Sequence, residues 1–434
     1  MLIPHPRELE VPVLGPPRFP SPFVAQRRGA IDESRRVLVG ALLDDHTEWA
    51  LQGEAPPSFE PAGPRARVFF DGPVTTCGIL TCGGLCPGLN DVIRSAVMTL
   101  WHGYGVRRIL GFRYGYAGIS SNSVAPPLEL TPASVERIHE EGGTVLGSSR
   151  GPQEVPDMVR TLQRSRVDIL VVIGGDGTLA GARALTEEIL RQGLPIAVIA
   201  VPKTIDNDLF WISRSFGFST AVEEADRVLG AAHAEAKGAW NGVCLVKLMG
   251  RHSGYIAAHS TLASGEVNFC LVPEVPFTLD GLLGELEARL RERHHALVVV
   301  AEGAGQDLVT DAGPAGTDAS GNVKLKDIGT FLRDRMAARF KQRGLDAAVR
   351  YIDPSYTIRS RVANSIDAEF CLSLGQQAAH AGMAGRTGMM VGLWNQHFTH
   401  VPLGLVAGKR RKLDPNGMVW QQVLATTGQP AELR

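Results

Sequence analysis

Neither sign of charge dominates this chain: 44 Lys and Arg stand against 45 Asp and Glu. Without a global field of either sign, nucleic acid and anionic membranes are excluded as natural partners, and any phosphate must be held by a few placed groups. No run of about 18 apolar residues occurs, so no transmembrane helix is predicted. The opening stretch MLIPHPRELEVPVLGPP lacks the apolar centre of a signal peptide, and the expectation is a cytoplasmic protein. Cysteine is scarce: six in 434 residues cannot staple a disulfide scaffold. Cys77, Cys82 and Cys86 are close, but they form no CxxC pair, have no nearby His and flank a glycine turn. Small buried fillers are expected there rather than a metal site. Short-period repeats and low-complexity tracts are also missing.

What the chain does have is apolar residue, 44%, enough for a large core, and length enough for two or three domains. Residues 1 to about 60 stand apart. Prolines at 4, 6, 12, 16, 17, 20, 22, 56 and 57 break any long helix, with one helical candidate from Asp32 to Leu51. From Arg67 a strand–loop–helix rhythm begins. Strands are predicted at Thr76–Thr81, Val106–Phe112, Asp168–Ile173, Pro195–Val201, Val243–Leu248, Phe269–Val272 and Ala296–Ala301. Helices are predicted at Asp91–Trp101, Thr131–Glu141 with a Thr cap, Met158–Ser165, Ala221–Glu235 and Leu279–Arg293. Val309 to Lys324 reads as a flexible surface excursion. Strands alternating with helices predict a doubly wound α/β fold.

Polar phrases cluster where the apolar strands end, the edge at which open α/β sheets bind ligands. After Thr81 comes a glycine turn, Cys82 to Asn90, that lets backbone approach a ligand and aims a helix start at it. After Ile173 comes Gly174-Gly175-Asp176-Gly177-Thr178, whose glycines suit phosphate and whose carboxylate suits Mg2+. Gly175, Gly177 and Gly181 roughly mimic a dinucleotide loop, but the spacing is off by one and Asp176 would repel a pyrophosphate without metal. A nucleotide kinase is therefore favoured over a dehydrogenase. After Val201 comes Pro202-Lys203-Thr204-Ile205-Asp206-Asn207-Asp208. On extended chain its two carboxylates share a side, one to take a hydroxyl proton and one to shape the field; an Asx-type turn is the competing reading. Arg251 in Met249-Gly250-Arg251 and Arg359 in Asp353 to Arg359 suit bidentate phosphate contacts, or plain surface ion pairs. The run Lys409-Arg410-Arg411-Lys412 reads as a solvated face or an anion site. His252 and His259 are expected to be structural.

In order along the chain, TCGGLCPGLN, GGTVLGSSRG, GGDGT, PKTIDND, VKLMGRHSGY, AEG and YIDPSYTIR resemble the 6-phosphofructokinase family, from about Gly63 to about Gly385. The longer branch of plants and trypanosomatids, which mixes ATP and pyrophosphate users, is the most similar. The resemblance implies two Rossmann-like domains with the active site between them. Their expected extents are a 1–72 extension, a 73–215 nucleotide domain completed by about 360–400, a 216–359 sugar domain and a 401–434 terminal segment. It implies phosphoryl transfer from ATP to the 1-hydroxyl of fructose 6-phosphate with Mg2+, by a homodimer or homotetramer. Carried over residue by residue, Asp206 is the base and Asp176 serves the metal. Gly84, Tyr116, Arg150, Gly151, Gly175, Gly177 and Thr178 line the nucleotide. Arg251, Thr204 and Lys203 stabilise the transferring phosphoryl. Thr204, Ile205, Met249, Gly250 and Glu302 hold the sugar, while Tyr356, Thr357, Ile358 and Arg359 hold its 6-phosphate. Arg350 falls where the family has a basic residue reaching from a neighbouring subunit.

Two positions bear on the donor. Pyrophosphate users read Gly-Gly-Asp-Asp with Lys before Thr-Ile-Asp; short bacterial ATP users read Gly-Gly-Asp-Gly with Gly there. This chain has Gly177 and Lys203, a mixture found in plant and trypanosomatid ATP enzymes, so ATP is the expected donor and pyrophosphate the alternative. One departure is Gly242, where short bacterial enzymes carry an Arg; Lys237 or Lys247 are candidate substitutes. A catalytically inactive nucleotide-binding subunit is the reading from another class; loss of Asp206 or Asp176 would mark it, and both are present. NAD and lipid kinases share only the GGDGT phrase.

Overall fold

The computed structural model describes residues 3–26, 29–310, 316 and 324–434. Most of the predicted Val309–Lys324 excursion lies outside them. The chain divides into two units: residues 1–204, 209–217 and 361–410 form one, and 205–208, 218–360 and 411–434 the other.

The first unit is built on a sheet of nine strands among the described residues. Its centre is parallel: Met389–Trp394, Ala197–Pro202, Ile169–Gly174, Thr76–Thr81 and Arg108–Phe112 lie side by side in that order. Every residue of Thr76–Thr81, Ile169–Gly174 and Ala197–Pro202 is buried, as continuous Val/Ile runs covered on both faces must be. Thr81 pairs with Ile173, and Gly174 pairs with Pro202. The glycine turn, Gly175 to Thr178 and Lys203-Thr204 therefore all begin at one edge of the sheet. Antiparallel strands finish both sides: Leu128–Glu129 on one, His397–Pro402, Ser58–Pro61 and Val37–Leu38 on the other. Two of these come from the proline-rich first 72 residues, so that segment contributes strands to this sheet, while its Phe19–Pro20 and Arg67–Val68 pair with each other.

Two predicted helices turn out shorter. Thr131 does cap a turn, its Oγ1 accepting from Ser134 N–H at 3.2 Å, but only the 3-10 turn Ile138–Glu140 follows. The backbone closes i to i+3 bonds here, Glu140 N–H to the Arg137 carbonyl at 3.0 Å and Glu141 N–H to the Ile138 carbonyl at 3.2 Å, and distant side chains hold it: Asn90 Nδ2 donates to the carbonyls of Ile138 and Glu141, and Arg94 donates to that of Glu136. The Asp32–Leu51 candidate is helical only over Asp44–Gln52, because Val37 and Leu38 pair with Phe59 and Ser58 in the sheet.

The second unit holds an all-parallel sheet in the order Phe269–Leu271, His295–Ala301, Gly242–Leu248, Val349–Ile352. Its helices include Phe218–Gly238, Tyr255–Ser264, Leu279–Arg293 and Ile328–Gln342. Leu248 pairs with Ala301, so Met249-Gly250-Arg251 and Glu302 leave the sheet at the same edge. Gly242 has a packing cause: a Cβ there would lie 2.2 Å from the Ala236 carbonyl oxygen, so no side chain fits on this backbone. The terminal segment is divided: His397–Pro402 belongs to the first unit's sheet, whereas Met418–Thr427 and the buried Leu433 belong to the second unit.

Candidate active site

In the first unit, Thr76–Thr81 feeds a turn that needs glycine, with φ of +84° at Gly83 and +100° at Gly88. Lys203 folds back to this turn, its Nζ donating to the Gly84 carbonyl at 2.6 Å. The Gly142–Gly151 loop is stitched to the same place. The Ser148 hydroxyl donates to the Gly83 carbonyl, Gly83 N–H donates to the Ser149 carbonyl at 3.2 Å, and the Ser149 hydroxyl donates to the Tyr114 carbonyl at 2.6 Å. Arg150 is exposed at the end of this loop, and Gly151 has φ +105°.

Gly175 is the cap of the Asp176–Arg191 helix and supplies no side chain, so the first N–H groups and the positive helix end face outward together. Gly175 also sits close to Lys203, with a Cβ there only 3.1 Å from the Lys203 carbonyl oxygen. Gly177 differs: a Cβ at this position would meet nothing within 4 Å. Thr178 is buried, and its carbonyl accepts from the Tyr116 hydroxyl at 2.6 Å. Tyr116 is itself buried, and burial raises its phenol well above the ordinary range. It therefore supports the helix start from beneath rather than presenting an open ring. The neighbouring Cys82 is a buried thiol pushed up to about 12 by burial, and all six cysteines are free and buried.

The Asp176 carboxylate accepts from Gly408 N–H at 2.8 Å through Oδ1, and Arg410 Nε lies 3.6 Å from Oδ2. Among the described residues no group of three or more His, Cys, Asp or Glu gathers into a metal cage. Mg2+ does not require one: it keeps several waters and takes one or two carboxylates plus phosphate oxygens. Asp176 fits that pattern, since its contact with Arg410 is long and leaves Oδ2 with lone pairs to give.

In the second unit the decisive residue is Asp206. It is buried, and its carboxyl is pushed up to about 7. Burial is the largest cause, followed by the charge of Asp208; Arg359 pulls it down, Glu302 adds to the rise and Arg251 pulls it down again. These five groups thus share one electrostatic environment, although they come from four separate stretches of sequence. The turn that carries Asp206 is tight, with Asn207 at φ +54°. Arg251 is also left-handed, φ +49°, and its N–H donates to Glu302 Oε1 at 2.9 Å. Glu302 N–H in turn donates to the Leu248 carbonyl at 2.8 Å. A Cβ at Gly303 would lie 1.8 Å from the Arg251 carbonyl oxygen, so this close pairing of the two strand ends requires glycine. Met249 is buried beneath it, and Gly250 has φ +143°.

The last phrase forms the short helix Ser355–Arg359, with Asp353 Oδ1 accepting from Ser355 N–H at 3.1 Å. Ile358 anchors it, while Tyr356 is 89% exposed and Thr357 is exposed. Arg350 pairs with Glu235 at 2.7 Å. Lys247 is committed to Asp353 at 2.9 Å and Asp327 at 3.4 Å, which makes it a structural cation and a poor stand-in at the Gly242 position. Sequence reasoning missed three contributors here: Gly408 and Arg410 at Asp176, and Arg411 at the Asp206 turn. The signal for the two arginines was the basic run Lys409–Lys412, and Gly408 directly precedes it.

A family model described as Phosphofructokinase matches residues 76–382. The chain belongs to the phosphofructokinase family. It is 48% identical over 442 residues to the ATP-dependent 6-phosphofructokinase of Amycolatopsis methanolica, covering 99% of this chain and 96% of that protein. It is 45% identical to the ATP-dependent 6-phosphofructokinase of Trypanosoma cruzi over 394 residues, 89% of this chain and 81% of that one. Among solved structures, a pyrophosphate-dependent phosphofructokinase from Marinobacter aquaeolei overlays with a TM-score of 0.68 at 21% identity, covering 82% of this chain and 91% of its own; this likeness concerns the fold. The phosphofructokinase assignment explains why the phrases lie at sheet edges: all but the Gly142–Gly151 loop are strand-to-helix or strand-to-loop junctions. No helix among the described residues is long and apolar enough to cross a membrane.

Proposed function

We propose that this phosphofructokinase transfers the γ-phosphoryl of ATP to the 1-hydroxyl of fructose 6-phosphate, giving fructose 1,6-bisphosphate and ADP. The observation that carries the reading is Asp206, a buried carboxyl raised to about 7 and set among Asp208, Glu302, Arg251 and Arg359. A base poised near neutrality takes a hydroxyl proton best. In the step, the Asp206 carboxylate accepts the 1-hydroxyl proton while that oxygen forms its bond to the γ-phosphorus. The bond from phosphorus to the bridging oxygen breaks, and ADP leaves with the electron pair. Arg251 offsets the charge on the transferring group, and Arg359 grips the 6-phosphate, since this chemistry needs positioning and neutralisation above all. The first unit supplies the donor half: Gly84, the Gly175–Thr178 helix start, Arg150 and Lys203. Asp176 would hold Mg2+, which supplies charge neutralisation at the phosphates when bound. Arg350, half-exposed at a strand start, suits a contact with a second copy in a homodimer or homotetramer.

The relatives named as ATP-dependent and the open space at Gly177 support ATP. Lys203 is the observation that favours pyrophosphate, yet its ammonium would help either donor equally. Initial rates with fructose 6-phosphate, Mg2+ and either ATP or pyrophosphate test the reading. ATP is expected to give the higher kcat/KM; a preference for pyrophosphate would reverse the donor assignment, and no transfer with either would end it.

A further inference from the structure

The basic run Lys409–Lys412 is a solvated face only in part: Lys409 and Lys412 are exposed, whereas Arg411 is tied down. Within the second unit, Arg411 N–H donates to the Asp208 carbonyl at 2.6 Å, and Arg411 Nη2 donates to the Asn207 carbonyl at 3.0 Å. These are the two carbonyls that follow Asp206 in the chain. The guanidinium lies 5.0 Å from the centre of the Tyr255 ring, a cation–π distance, and the Tyr255 hydroxyl donates to the Lys412 carbonyl at 2.8 Å. Leu413 N–H donates to Glu274 Oε1 at 2.9 Å, the same oxygen that accepts from Gly254 N–H at 3.0 Å. The segment is thus tied down at the start of the Tyr255–Ser264 helix, and from that anchor one arginine reaches the Asp206 turn twice.

Asn207 holds φ +54°, a left-handed conformation that asparagine tolerates better than other non-glycine residues, and the direction in which so tight a turn points still needs a restraint from its surroundings. Arg411 supplies that restraint. Its backbone bond holds the peptide after Asp208, its side-chain bond holds the peptide after Asn207, and both peptides move together only if the turn rotates. Rotation would swing Asp206 and Asp208, whose separation sets the repulsion between them. Arg411 bonds to the two backbone carbonyls of the turn, so its influence on Asp206 runs through geometry.

We propose that Arg411 is a positioning residue for phosphoryl transfer, which clamps the Asn207 and Asp208 carbonyls and thereby aims the Asp206 carboxylate at the substrate hydroxyl. The proposal rests on the reading of Asp206 as the base. A 1 Å misplacement of a catalytic group can cost about 100-fold in rate, so Arg411→Met in the full-length enzyme should lower kcat by about 10- to 100-fold. The KM values for fructose 6-phosphate and ATP should stay within about threefold, because the contacts of the residue are with the turn and Tyr255. Arg411→Lys keeps the cation over Tyr255 and one donor for Asn207, and should recover part of the lost kcat. Thermal unfolding of both variants is measured alongside. A methionine variant with wild-type kcat overturns the proposal. So does one whose kcat and both KM values worsen together with a fall in Tm that lysine does not mend, since that is a merely structural role. Wild-type enzyme inert with both donors would instead overturn the reading of Asp206 itself, and is scored in the same assay before any variant.

Discussion

Asp206 is costly to the fold and useful to the chemistry for the same physical reason. Burial and the Asp208 charge raise its carboxyl to about 7, against 3.8 for an unperturbed Asp. Between those values the folded state binds the proton and the unfolded state does not, so stability falls as pH rises through this window. The Asp206 contribution is therefore fully present below about pH 4 and lost above about pH 7. Asp206→Asn removes the charge without changing shape. It should raise Tm relative to wild type at pH 8, by about 2–4 °C per kcal/mol relieved, and this gain should shrink toward pH 4. The same variant should lose about 10²- to 10⁴-fold in kcat, the usual worth of a positioned base. Wild-type kcat should itself fall as pH drops below about 7 and Asp206 takes up a proton. Calorimetry and rates on one preparation check both halves; a variant equally stable at both pH values and still active would show that the charge matters to neither. At this scale the sequence was readable where chemistry is contiguous, as in Asp206 and Asp208. Arg411 was not, because its partners lie some 200 positions away and nothing in four consecutive basic residues distinguishes the one that is tied down.

Elements were legible in proportion to how little they depend on distant partners. The fully buried strands declare themselves by unbroken Val and Ile, since burial on both faces leaves no polar alternation. The Thr131–Glu141 stretch has a cap and helical composition but is held in tighter turns by bonds from Asn90 and Arg94, which no local pattern records. The Asp176–Arg191 helix is the element on which donor choice depends. A Cβ at Gly177 would meet nothing of the protein within 4 Å, so the position is open on the protein side and an obstruction there falls on the ligand. An added carboxylate in the first turn also suits the positive helix end. Gly177→Asp should therefore leave Tm within about 1 °C of wild type, as surface changes away from packed features do. It should lower kcat/KM for ATP through overlap and repulsion at the α-phosphate. Rates with ATP and pyrophosphate, beside a melting curve, check this. Intact ATP use would show that the donor is chosen elsewhere; a large loss of Tm would show that the space is not free.

On the scale of the whole molecule, composition alone set residues 1–72 apart as an extension, because prolines hide the short strands Val37–Leu38 and Ser58–Pro61 that join the large sheet. What binds this segment is charge as much as pairing. Glu60 accepts from Arg386 Nη2 at 2.6 Å, from Arg65 Nη2 at 2.8 Å, and faces His400 Nδ1 at 3.3 Å. Arg65 is only 2% exposed and Arg386 16%. Burial alone would raise the Glu60 carboxyl, but hydrogen bonds and charges from His400 and Arg386 outweigh it and hold the group well below the usual range. Glu60 thus stabilises the fold at and above the ordinary carboxylate range, and this contribution is lost as pH falls through its depressed value. Its removal leaves the buried Arg65 and the partly buried Arg386 with only their longer contacts to Glu33, at 4.0 and 3.6 Å; breaking a buried pair costs roughly 3–5 kcal/mol. Glu60→Gln keeps the shape and should lower Tm by several degrees at pH 7, with the gap from wild type narrowing as pH drops below about 4. Melting curves across that range check it. If the variant melts like wild type at pH 7, residues 1–72 are held by strand pairing alone, and the cluster of Glu60, Arg65, Arg386 and His400 is a consequence of the fold rather than one of its supports.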